Sequence, residues 1–199
     1  MKTFLLLIFF ALVVAPSAFA QETHGGHSHS DLPSGHGHDS SDLDEQRRAV
    51  KLWISHHHEI PDRAQLEDVS PHARQFVFEI ARDEEAFLFH RHRALRALAN
   101  WPDQEVHDFL RELLINPDTE DGLRHHLIPI LAHGFGEDSL ESLRPFLFDA
   151  EDPQIRITTA VAIGHIPGQR ALDVLIEALE VEEHPLVRNR IEDYATRIN

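Results

Sequence analysis

Seventeen histidines and no cysteine make imidazole the main transition-metal ligand available to this 199-residue chain. Five of them, His24, His27, His29, His36 and His38, lie in ETHGGHSHSDLPSGHGHDSS (22–41) among Gly, Ser and Asp. Imidazole is a common ligand for Zn(II), Cu(II) and Ni(II). The pairs His27/His29 and His36/His38 stand about nine residues apart, and their small neighbours let both fold around one ion. Asp31 and Asp39 can add oxygen. Ordering such a chain costs entropy, so the expected affinity is moderate. A second group, His56, His57 and His58 followed by Glu59, closes a predicted helix. Adjacent residues do not share a helix face, but at a fraying end two of these imidazoles and Glu59 can chelate. The sequence predicts no required cofactor, with Zn, Cu or Ni as the metals the tail would take.

Other chemistry is poorly represented. There is no HExxH pair, no glycine-rich phosphate loop and no GxSxG elbow, and without cysteine there is no thiol catalysis. The expectation is a protein that is not an enzyme.

The first twenty residues, MKTFLLLIFFALVVAPSAFA, have the form of a secretory signal: Lys2, an apolar run from Phe4 to Val14, then small residues at Ala18 and Ala20. The run is short for a bilayer span of about 20 residues. Cleavage near Ala20, no stable membrane anchor and an extracytoplasmic location, periplasmic or secreted, are therefore expected. The sequence sets no oligomeric state.

Formal charge is −16 with histidines neutral, and −17 without Lys2. Phosphate binding needs a basic face, so nucleic acid is disfavoured as a partner. A basic protein or a metal cation fits better.

Residues 21–43 lack hydrophobic periodicity and read as a disordered His-rich tail. From Asp44 onward apolar residues recur at helical spacing, without strand alternation. Three segments align: RHRALRALANWP (91–102), RHHLIPILAHGF (124–135) and RITTAVAIGHIP (156–167). A fourth, RNRIEDYATRIN, starts at Arg188. The register Arg91, Arg124, Arg156, Arg188 has spacings of 33, 32 and 32 residues. Each segment reaches a small residue at its ninth position (Ala99, Ala132, Gly164) and is followed by a second apolar helix, VHDFLRELLI, LESLRPFLF or ALDVLIEALE. One helical hairpin per fixed period predicts an all-α fold, an α-solenoid or α-α superhelix. Residues 44–90 should form an N-terminal helical capping unit and 91–199 the repeats with a C-terminal capping helix. Within 44–90, Ser70-Pro71 reads as the start of one helix, and 57–69 as an unusually long connector. The Arg ladder is expected to bind acidic groups or carbonyls of a neighbouring unit.

The repeats resemble the HEAT repeat family, in its short-repeat, phycobilin-lyase-like branch. DPQIRITTAVAIGHIPGQRALDVLIEALE (152–180) carries the resemblance through Asp152-Pro153, Arg156, Ala160, Ala162, Gly164 and Arg170-Ala171-Leu172. The related hydroxylase branch places His-Glu pairs directly after the repeat arginine as di-iron ligands. Here those positions read His92-Arg93, His125-His126, Ile157-Thr158 and Asn189-Arg190, with no glutamate, so that activity is not carried over. The repeat-equivalent pairs His92/His125 and His133/His165 remain secondary metal candidates.

In this architecture the second helices usually line the concave surface. They carry Glu105, Asp108, Glu112, Glu141, Asp173, Glu177 and Glu180, predicting an acidic surface for a basic partner. Two functional expectations follow. One is an exported, non-catalytic protein-interaction scaffold. The other is an extracytoplasmic metal-binding protein or metal chaperone that captures ions on its tail.

Overall fold

A computed structural model gives the conformation of residues 38–56 and 59–198. Among these residues all regular secondary structure is helical. None of the described helices is long and apolar enough to cross a membrane.

The repeats form as two layers. Helices α4 (Leu88–Leu98), α6 (Asp121–Phe135), α8 (Pro153–Gly164) and α10 (Pro185–Ile198) pack successively on one another. The second helices α5 (Gln104–Ile115), α7 (Leu140–Phe148) and α9 (Gln169–Val181) each pack on the first helix of the following unit. Neither helix of a hairpin can bury its apolar face alone; stacking supplies the missing surface. Leu95, Leu98, Leu127, Leu131, Leu143, Leu147 and Leu175 are fully buried in the shared core, while Leu113, Val161 and Leu179 pack half-buried against it.

Local sequence sets several helix ends. Asp103 caps α5 through the Val106 N–H (3.0 Å), and Asp152 caps α8 through Gln154 (2.8 Å), with Pro153 at the first helical position. Pro129 lies inside α6 and Pro145 inside α7, each removing one helical hydrogen bond.

The Arg ladder has one recurrent use: each guanidinium reaches back to carbonyls at or just beyond the end of the preceding helix. Arg91 donates to Ala81 O (3.1 Å), Arg124 to Asn116 O (2.9 Å), Arg156 to Ala150 O (2.6 Å) and Arg188 to Leu179 O (2.6 Å). The last carbonyls of a helix have no intrahelical donor and carry the negative end of its dipole, so a cation satisfies both needs.

The N-terminal unit is itself a hairpin of the array. Its first helix α1 (His38–His56) packs on α4, and α3 (Ala73–Arg82) packs on α4 as the second helices do downstream. Between them the long connector contains a further helix, α2 (Arg63–Val69). Its capping box explains it: Asp62 accepts from the Gln65 N–H (2.9 Å) while the Asp62 N–H donates to Gln65 Oε1 (2.9 Å). Helix α4 and the turn after it hold this insert. Arg93 donates to Ile54 O and to Glu59 O (2.8 Å), Asn100 to Pro61 O (3.0 Å), and the buried Trp101 indole to Glu67 (3.2 Å).

Two boundaries differ from expectation. Helix α1 begins at His38 rather than Asp44, so the end of the expected tail is helical. Carboxylates in its first turns favour the positive end of the dipole. Gln46 donates to Asp42 (3.1 Å) and Arg47 to Asp44 (2.6 Å), each about one turn away. Helix α3 starts at Ala73, not Pro71; the Ser70 hydroxyl accepts from the His72 N–H (3.0 Å) and shapes the turn before it.

Candidate functional site

Two neighbouring clefts open on the first-helix layer, built by side chains one or two turns apart on each helix. On α4 and its C-cap these are His92, Arg96 and Ala99; on α6, His126, Pro129 and His133; on α8 and its C-cap, Ile157, Val161 and His165. The cleft between α4 and α6 has a volume of about 490 Å³ and is also lined by Asp62 and Asn100. The cleft between α6 and α8, about 660 Å³, is mainly apolar, with Ala132, Val161, Ala162 and Pro167 in its wall. Pro129 and His133 line both.

Within the first cleft the rings of His92 and His126 meet, with centroids 4.3 Å apart and planes tilted by 45°. His92 is half-buried, His126 exposed. Burial first, then the His126 imidazole and the Arg91 guanidinium, hold His92 below the ordinary histidine range. The sequence pairs His92 with His125, but His125 turns the other way, its Nδ1 lying 2.9 Å from Thr158 Oγ1 on α8. One residue is a rotation of about 100° on a helix, enough to exchange one neighbouring helix for the other. The readable signal is the stripe His126, Pro129, His133 at i, i+3 and i+7. His133 and His165, the other repeat-equivalent pair, both line the apolar cleft; His165 Nδ1 bonds Val161 O (2.8 Å) and its ring meets that of Tyr194 at 5.1 Å, the planes tilted by 58°.

Of the histidines predicted to hold metal, His24, His27, His29, His36, His57 and His58 lie outside the described residues. His38 opens α1. His56 ends α1, where its exposed ring donates from Nδ1 to Leu52 O (3.2 Å). Among the described residues no group of three or more His, Asp or Glu side chains is arranged to hold a metal ion.

The seven predicted partner-binding carboxylates are all on the second layer and divide into two groups. Glu105 is bound by Arg74 (2.8 Å) and approached by Arg82 (3.5 Å), which ties α5 to α3. Glu177 is held by both Nη atoms of Arg144 (2.9 and 2.6 Å), tying α9 to α7. That bidentate bond sets the Glu177 carboxyl below the usual range. Asp108 accepts from Gln104 (3.0 Å) and Asp173 from Gln169 (2.7 Å), both one turn away. Glu112, Glu141, Asp173 and Glu180 are exposed, without an ion pair among the described residues. Spacing alone could not separate the clamping carboxylates from the open ones, because the distinction depends on arginines of other repeats.

No curated protein and no solved structure matches the chain. One family model, described as HEAT repeats, matches residues 115–194. That span runs from the end of α5 into α10, covering the hairpins whose arginines, caps and small residues repeat most regularly. The α-solenoid over this stretch is thus similar to HEAT repeats, and the same two-layer stacking continues upstream to α1.

Proposed function

We propose that the protein is an exported, non-catalytic scaffold that binds a basic protein through the acidic second-helix surface. The observation supporting it is the set Glu112, Glu141, Asp173 and Glu180, exposed on consecutive second helices of a stack similar to HEAT repeats. Repeat stacks commonly serve as extended protein-binding surfaces. Charge at such a surface mainly selects the partner and speeds encounter. Export rests on the form of residues 1–20.

The test is affinity capture from an extracytoplasmic extract, comparing the full chain with a Glu112→Lys, Glu141→Lys, Glu180→Lys variant. Because these positions are exposed, the variant should keep its helical circular dichroism. Wild type should retain basic proteins that elute as salt rises above about 0.15 M, where the Debye length is about 8 Å. The variant should lose them. Equal capture by both chains would overturn the acidic surface.

A further inference from the structure

His92 Nε2 is enclosed by the fold and has no hydrogen-bond partner among the described residues. A buried polar nitrogen left unpaired is unfavourable, so the position favours a ligand that completes it: a hydrogen-bond donor or a Lewis acid. The ring packed against the His92 ring is a second imidazole, His126, on the neighbouring helix.

We propose that His92 and His126 form an open two-imidazole site for a divalent transition metal of the Zn(II) class. Neutral imidazole is the metal-binding form. A tetrahedral ion about 2.0–2.1 Å from one nitrogen of each ring would set the ring centres about 5 Å apart. The observed separation is 4.3 Å. Metal binding therefore requires the exposed His126 ring to swing outward, which would uncover His92 Nε2. The cleft of about 490 Å³ has room for the waters that complete the shell, and Asp62 lines the same wall. Arg96 lines the same cleft, so binding there rests on the imidazoles rather than on local charge. With only two protein ligands, the ion keeps positions for water or for a side chain of another molecule. The site lies on the first-helix layer, apart from the acidic second layer, so it stands or falls independently of the scaffold reading.

The test is a Zn(II) titration of the full chain, labelled with 15N-histidine and read by imidazole nitrogen resonances, assigned by single His→Gln variants. The expected result is that His92 and His126 nitrogens shift together. His126→Gln, at an exposed position, should abolish the His92 shift while tail histidines still respond. A wild-type titration that moves tail histidines but leaves His92 unshifted would overturn the site, as would an undiminished His92 shift in His126→Gln.

Discussion

Gly164 in α8 lies directly against Tyr194 in α10: a Cβ placed on Gly164 would stand 2.5 Å from both Cβ and Cγ of Tyr194. This contact lets the last two first-layer helices approach, and it gives the small residue at the ninth repeat position a physical role. Ala99 acts in the same way between α4 and α6, where a Cβ on Gly134 would stand 3.1 Å from the Ala99 Cβ.

Gly164→Ala should therefore destabilise the protein. Alanine improves intrinsic helix propensity by about 1 kcal/mol, but overpacking at a closed helix contact costs about 1–3 kcal/mol. Because the clash involves the first side-chain atoms of Tyr194, overpacking should win. Thermal unfolding should show a lower Tm for Gly164→Ala. The double variant Gly164→Ala, Tyr194→Ala should be less destabilised than the sum of the two single changes.

The arginine ladder predicts a repeated stability effect. Arg124 is largely buried and serves Asn116 O, Pro117 O (3.3 Å) and Asp121 (2.8 Å). Arg124→Met keeps the apolar stem and removes these bonds, which should cost about 2 kcal/mol, in the range for hydrogen bonds to charged groups. Arg124→Lys should recover only a fraction of this, because a point charge cannot reach the same fork of acceptors. Urea unfolding checks both through a lowered midpoint at unchanged slope.

Arg156 and Glu182 form the most enclosed ion pair among the described residues, with side chains 14% and 8% exposed and a contact of 2.8 Å. Burial pushes the Glu182 carboxyl up, but hydrogen bonds from Arg156 and the His184 N–H, with the charges of both residues, bring it below the usual range. A depressed folded pKa means that the unfolded chain binds the proton first as pH falls. The pair's stabilisation is then complete above the ordinary glutamate value of about 4.3 and is lost as pH falls through the lower folded value. Glu182→Ala should destabilise by about 3 kcal/mol at pH 7, the scale for breaking a buried pair. The difference from wild type should shrink below about pH 4. Unfolding free energies from pH 7 to 3 test the sign; a difference that grew in acid would be inconsistent with it.

Histidine also predicts a solubility change. With 17 histidines against a formal charge of −16, protonation brings the chain near neutrality. Light scattering should rise as pH falls from 7.5 toward about 5, through the reference histidine pKa of about 6.5. A flat trace would count against it.

By itself the sequence determined the architecture: an all-α array with a 32–33-residue period, its arginine register, and the Asp152-Pro153 helix start. These are local or periodic properties: apolar spacing and the Asp152 cap act within one helix, and the arginines and small ninth residues recur at a fixed register. Tertiary structure decided the rest. It placed α2 in the connector, extended α1 to His38, turned His126 rather than His125 toward His92, and separated the clamped Glu105 and Glu177 from the open Glu112 and Glu180. Each of these depends on which neighbouring helix a side chain meets. On a helix that choice changes with a single residue's rotation of about 100°, and it is settled only when the layers pack.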